Sequence, residues 1–254
     1  MDCYLGYRIA YLEETDSTNA ECRRWVERGV DGHKLLLWTD FQSAGRGQQG
    51  NKWESQLGKN LTFTLCVQPS FLLSREQFLL SEVVSLSLCG MLNELKEGFC
   101  VKWPNDIYFG GRKVAGVLIE HCLKSSVISQ SYIGVGLNVN QENFVSDAPN
   151  PVSLYTVLGG IQDRRKLLEH FIRMFSYYYK LLENGKADEI QNQYYGNLFR
   201  KDGFYPYQDA KSSFRAKIVS VRGDGTLVLE DEKGCERLYT FKEVKYIFPD
   251  RICD

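Results

Sequence analysis

Two clusters in this chain have residue types and spacing suited to handling a small anionic ligand. The first is Gln42-Ser43-Ala44-Gly45-Arg46-Gly47-Gln48-Gln49-Gly50-Asn51-Lys52-Trp53. Its three glycines let the backbone approach a ligand closely and adopt positive φ. Arg46 and Lys52 add positive charge, and Trp53 adds a flat aromatic face. A nucleotide would suit such a loop, although glycine-rich surface loops without a ligand are common. The second cluster is Lys102-Trp103-Pro104-Asn105-Asp106, followed by Gly111-Arg112-Lys113-Val114-Ala115-Gly116. Two shorter elements flank these, the turn Asp16-Ser17-Thr18-Asn19 and the segment Gly134-Val135-Gly136-Leu137-Asn138.

In this order and at these distances, the four motifs resemble the catalytic domain of bacterial biotin protein ligases. The likeness runs from about Tyr7 to Asn140 and more loosely beyond. It implies two half-reactions. A carboxylate attacks the α-phosphate of ATP to give biotinyl-5'-adenylate and pyrophosphate, and a lysine of a biotin carboxyl carrier protein then displaces AMP. The first step brings two anions together, so the site must supply cations and directed donors. By resemblance, Lys113, Arg46 and Asp106 carry the chemistry. Lys113 lies beside both reacting anions, and Asp106 offers an oxygen ligand to Mg²⁺. Read without the motif, Lys113 is a solvated lysine and Asp106 a turn aspartate.

The same resemblance assigns biotin to Ser17, Thr18, Asn19, Gln42, Gly45, Arg46, Gly47, Gln48, Lys113 and Gly116. Neutral polar side chains there match the fixed donors and acceptors of a ureido ring. ATP and the adenylate fall to Arg46, Trp53, Lys102, Asn105, Asp106, Lys113 and Asn138, with Asn138 reading the adenine edge. The loop departs from the family at Gln48 and Asn51, where many members carry arginine. Weaker retention of the adenylate is expected from that change. Two alternatives stay open: a lipoate or octanoyl ligase-transferase of the same superfamily, and a non-catalytic biotin-sensing regulator. The catalytic pattern starts within about ten residues of Met1, so a monofunctional type lacking an N-terminal DNA-binding domain is expected.

The chain has 254 residues, 43% hydrophobic and 25% charged, with a formal net charge of −1. That balance is ordinary for a globular protein and argues against a general nucleic-acid footprint. No apolar stretch reaches the length of a membrane span or a signal h-region, so the cytoplasm is the expected compartment. The eight cysteines contain no CxxC pair, and the three histidines lack metal-ligand spacing. Free thiols are expected. Edge-to-edge sheet pairing into a homodimer is compatible with the resemblance.

The elements that must position these motifs follow from periodicity. Strands are expected over Tyr7 to Glu14, Lys34 to Phe41, Asn60 to Val67, Val101 to Trp103, Ile107 to Phe109, Val114 to His121 and Val127 to Val139. Gly110-Gly111 forms a hairpin turn. Thr18/Glu21 and Ser74/Gln77 read as capping boxes opening helices, the second of them running through Leu95. Asp163 caps a helix to Leu182, in which Tyr177, Tyr178 and Tyr179 pack. Another helix covers Ala187 to Leu198. Frequent hairpins favour an α+β fold with a mixed or antiparallel central sheet, and the resemblance implies its biotin ligase and class II aminoacyl-tRNA synthetase-like form. From about Phe204, short strands between Gly-Asp-Gly and Glu-Lys-Gly turns predict a small β-barrel, which the resemblance implies is SH3-like. The expected division is 1–203 for the catalytic domain and 204–254 for the barrel, with every ligand motif lying before Asn140.

Overall fold

The computed structural model describes residues 1–47, 50–145 and 150–248. An eight-stranded sheet carries most of the chain. Its spatial order is β1 (Asp2–Tyr4), β2 (Tyr7–Thr15), β3 (Leu35–Gln42), β4 (Leu61–Val67), β8 (Val127–Leu137), β7 (Arg112–Lys124), β6 (Asp106–Phe109) and β5 (Phe99–Lys102). The pair β2 and β3 is parallel, and helix α1 (Thr18–Glu27) makes the crossover between them. The other pairings in this sheet are antiparallel. Thr15 and Gln42 are register partners at the ends of the parallel strands. The Ser17–Asn19 turn and the glycine loop therefore leave the sheet at one edge, side by side.

Both faces of the sheet are covered. Helices α2 (Phe78–Asn93), α4 (Arg164–Glu183) and α5 (Ala187–Gly196) pack together on one side. Along α4, Leu168, Phe171, Ile172 and Phe175 recur at helical spacing and are wholly buried, with Phe171 4.9 Å from Phe63 of β4 between ring centroids. Each such side chain contributes about 1.5–3 kcal/mol of burial. The opposite face is covered by α1, whose Cys22 packs with Leu35, Leu37, Cys66 and Tyr132. Because both faces are covered, all seven residues of β4 are buried, including Thr62 and Thr64. A short helix α3 (Leu154–Leu158) follows the site strands, with Ser153 at its N-cap.

Asp163 caps α4 as expected, its carboxylate accepting from the backbone N–H groups of Arg165 and Lys166 at 2.9 and 3.1 Å. The two expected capping boxes do not form. At α1 the N-cap residue is Ser17, and its side chain makes no cap hydrogen bond. Gln42 instead takes the Thr18 N–H at 2.8 Å and Asp16 takes the Ser17 N–H at 2.7 Å, while Glu21 turns to Trp25. Arg24 grips Asp16 through both of its terminal nitrogens and holds that carboxyl well below its usual range. Before α2, Ser74–Glu76 form a 3₁₀ turn, and Glu76 rather than Gln77 accepts the Leu73 N–H at 2.9 Å. That helix stops at Asn93, short of Leu95, and the Asn93 side chain closes the turn onto Gly98 and Phe99.

The C-terminal part forms a separate five-stranded antiparallel sheet, the SH3-like element. Its order is β12 (Glu236–Tyr239), β11 (Leu227–Asp231), β10 (Ser213–Val221), β9 (Tyr205–Gln208) and β13 (Lys245–Tyr246). It is joined closely to the main sheet and its helices. Trp103 Nε1 donates to the Gly225 carbonyl at 3.0 Å, and the Tyr195 hydroxyl of α5 donates to the Ile218 carbonyl of β10 at 3.3 Å. Phe78 packs between Tyr194 and Phe241. A Cβ at Gly225 would lie 2.7 Å from the Phe78 ring, so this turn admits no side chain. Glu82 lies one turn after Phe78 and is buried, with Oε2 unpartnered. Cys3, Cys22, Cys66, Cys89, Cys100, Cys122 and Cys235 are free thiols. No helix among the described residues is long and apolar enough to cross a membrane.

Candidate active site

The long β7–β8 hairpin provides the floor of the site. Its register sets Gly116 opposite Gly136, and Leu118 opposite Gly134. These glycines leave space that other side chains occupy. A Cβ on Gly136 would sit 2.6 Å from Nε1 of Trp53, and one on Gly134 would meet the Asn19 amide. Above this floor opens a cavity of about 670 Å³, within the range of small-molecule sites.

At one end of the cavity stand Ser17, Thr18, Asn19 and Gln42, all among its lining residues. The glycine loop forms another wall by folding back on itself. Arg46 bridges Lys52, Gly47 N–H donates to the Asn51 carbonyl at 2.7 Å, and Trp53 N–H donates to the Gly45 carbonyl at 3.0 Å. Gly45 is buried beneath this closure and is not a lining residue. A Cβ there would lie 2.8 Å from the Trp53 carbonyl oxygen and 3.0 Å from Gln42 Nε2, so its conformational role is to let the loop close. Arg46, Gly47, Asn51, Lys52 and Trp53 face the cavity. Gln48 lies outside the described residues.

Lys113 and Asp106 come together across the Gly110-Gly111 turn. Nζ and Oδ1 are 2.7 Å apart, each side chain about one-quarter exposed at 24% and 23%. Both line the cavity, and Nζ is 5.9 Å from the centre of a Trp53 ring. The Lys113 backbone is fixed on both sides by the Asn150 carbonyl and the Val152 N–H. Lys102 lines the same cavity, its ammonium 4.7 Å from the Tyr246 ring and 5.6 Å from Tyr108. Burial pushes its pKa down, against the pull of Asp106.

Asn138 also lines the cavity, but its amide N–H group is turned to the backbone carbonyls of Val152 and Lys113 at 3.2 and 3.4 Å. It secures the end of β8 to the segment after residue 150. Asn105 is buried and is not among the lining residues. Among the described residues, no group of three or more His, Cys, Asp and Glu side chains is placed to hold a metal. Asp106 offers one carboxylate. That fits an ion carried mainly by phosphate oxygens and water.

The cavity also has walls that the motifs did not reveal. Phe241, Lys242, Val244 and Tyr246 of the C-terminal sheet line it, as do Thr62, Phe144 and Val145. The four motifs lie before Asn140, whereas the walls of the cavity extend beyond it. Phe241, Lys242 and Tyr246 belong to no motif, so the sequence carried no signal for them.

Comparison with known proteins agrees with this geometry. Residues 15–138 match the biotin/lipoate A/B protein ligase family. The biotin–[acetyl-CoA-carboxylase] ligase of Paracoccus denitrificans is 30% identical over 74% of this chain and 80% of its own length. The bifunctional ligase/repressor BirA of Bacillus subtilis is 24% identical over 93% of this chain and 73% of its own length. Among solved structures, the Aquifex aeolicus biotin protein ligase in complex with biotin and ATP superposes with a TM-score of 0.78 at 27% identity, covering 94% of this chain and 99% of that one. The motif order, the floor of glycines and the paired Lys113 and Asp106 thus sit in a shared fold, and this chain belongs to the biotin/lipoate A/B protein ligase family, among its biotin protein ligases.

Proposed function

We propose that this chain activates biotin with ATP and transfers the biotinyl group to a specific lysine of a biotin carboxyl carrier domain. The observation that carries the reading is the lining of the cavity. Neutral donors and acceptors (Ser17, Thr18, Gln42) stand at one end, and Arg46, Lys52, Lys102, Lys113 and Lys242 line the same space. A ligand with a polar uncharged head, a carboxylate and a neighbouring triphosphate suits that distribution.

In the first step a biotin carboxylate oxygen attacks the α-phosphorus, the bond to the β-phosphate breaks, and pyrophosphate leaves. Lys113 Nζ reduces the repulsion between carboxylate and phosphate. Its ion pair with Asp106 holds the ammonium in place. Arg46 adds a second cation from the loop, and Trp53 over Gly136 excludes water. Mg²⁺ bound with ATP would neutralise phosphate charge, with Asp106 as the oxygen ligand from the protein. In the second step the carrier lysine, as the free amine, attacks the acyl carbon. The acyl C–O bond breaks, AMP leaves, and one proton is lost to solvent.

The test is incubation with ATP, Mg²⁺ and a carrier domain, with biotin in one arm and lipoate in the other. Pyrophosphate release and a mass gain on the carrier are expected with biotin. Equal or better modification with lipoate overturns the substrate assignment, and no modification with either overturns the ligase reading.

A further inference from the structure

A continuous chain of hydrogen bonds leads from the head-group end of the cavity to a carboxylate beyond its lining. Gln42 Oε1 takes the Thr18 N–H at 2.8 Å and stands 3.0 Å from the Thr18 hydroxyl. The Thr18 hydroxyl is 2.8 Å from that of Thr64. Thr64 Oγ1 is 2.5 Å from Asn19 Oδ1, and Asn19 Nδ2 donates to Glu120 Oε2 at 2.8 Å. Glu120 belongs to β7 and is not among the cavity-lining residues. Arg23 stands on its other side, at 3.9 Å from Oε1.

We propose that Glu120 is a positioning residue that sets the donor and acceptor polarity of the head-group pocket, and so its selectivity for a cyclic urea. The inference rests on the biotin-activating reading above. An ionised carboxylate only accepts. Asn19 must therefore turn its NH₂ toward Glu120, which leaves Oδ1 to accept from Thr64. The one Thr64 proton is then committed to Asn19. The Thr18 hydroxyl donates to Gln42 or Thr64 and keeps a lone pair for a ligand N–H. Gln42, with Oε1 occupied by Thr18, offers Nε2 to a ligand carbonyl. The pocket thus presents one donor and one acceptor, the complement of a urea edge. Gly134 makes this possible, because a Cβ there would displace the Asn19 amide.

Loss of Glu120 leaves the Asn19 NH₂ only the Leu118 carbonyl at 3.5 Å, too long a contact to hold the amide in one orientation, and the polarity of the chain is no longer fixed. Glu120→Met should raise the KM for biotin by about 10- to 100-fold, the worth of a charge-assisted hydrogen bond. The KM for ATP should hold, and kcat for pyrophosphate exchange should change by less than about threefold on the same reasoning. Preference for biotin over lipoate should fall by the same factor as KM rises. Glu120→Gln can accept or donate, so Asn19 is no longer held to one orientation and the biotin KM should fall between wild type and Glu120→Met.

The decisive variant pair is Asn19→Asp, alone and combined with Glu120→Gln. Alone, Asn19→Asp sets two carboxylates against each other and should lose biotin affinity. In the double variant the amide introduced at position 120 donates to the carboxylate introduced at position 19. Thr64 then keeps its direction, and affinity should return. Failure of that rescue in a folded double variant overturns the proposal, as does an unchanged biotin KM in Glu120→Met. Absence of biotin-dependent exchange in the wild type would instead sink the ligase reading beneath it.

Discussion

Glu82 gives this fold a measurable dependence on pH. The residue lies in α2 at 1% exposure, and its Oε2 has no hydrogen-bond partner. Burial pushes the carboxyl up to about 8 from an ordinary value of 4.5. The folded protein therefore binds a proton that the unfolded chain has released throughout the window between those values. Stability is fully present below pH 4.5 and is lost as pH rises toward 8. Each pH unit inside the window costs about 1.4 kcal/mol. From pH 5.5 to 7.5 the loss from this group comes to about 2.5 kcal/mol once the ends of the titration are included.

Urea unfolding of the wild type and Glu82→Gln at both pH values isolates this contribution, because other titrating groups cancel in the difference. His121, whose pKa burial lowers, is one such group. The glutamine variant should lack about 2.5 kcal/mol of the pH-dependent loss, and Glu82→Met should behave in the same way with a higher baseline. Parallel pH dependences in wild type and Glu82→Gln would show that the carboxyl is ionised in the folded protein, and would refute the reasoning.

Lys113→Ala should reduce pyrophosphate release by about 10²–10³-fold, the typical cost of one shielded charge contact, with ATP affinity much less affected; stopped-flow release and equilibrium ATP binding check the two halves. Gly136→Ala should displace Trp53 from the floor and red-shift its fluorescence, and an unchanged spectrum would place the indole elsewhere. Lys242→Ala should raise the KM for ATP by about tenfold, a loss of roughly 1.4 kcal/mol, while biotin affinity measured without ATP stays constant. An equal loss in both affinities would place Lys242 at the other end of the cavity.

The sheet and the four motifs could be read from sequence because each is local. Alternation in β4, the Gly110-Gly111 turn and the Asp163 cap depend on neighbours within a few residues. Long-range partners are harder to read. Gln42 replaces the expected capping box at α1 because parallel pairing brings it beside Thr18 from 24 residues away. Burial of Thr64 likewise depends on a distant element, because Thr18 and Asn19 of α1 cover it. The motif alone assigns Asn138 and Asn105 to the nucleotide; the geometry shows Asn138 binding backbone carbonyls and Asn105 outside the lining. The contribution of Phe241 to Tyr246 carries no motif, and only packing of the two sheets at Trp103 and Phe78 brings it to the cavity.

That packing bears on how the protein unfolds. One wall of the cavity holds Ser17 and another holds Tyr246, so a ligand touching both ties together parts that pair no strands with each other. Binding at 100 times Kd adds about 2.7 kcal/mol to whatever must remain intact for the ligand to stay bound. A ligand confined to the Ser17 end puts that increment on the eight-stranded sheet and reaches the C-terminal strands only through the core the two sheets share. An occupant reaching Lys242 and Tyr246 extends it to the second sheet. Calorimetry should then show a larger upward shift in melting temperature when biotin and a non-hydrolysable ATP analogue are both present than with biotin alone, making the shared cavity a second tie between the sheets beside their common core.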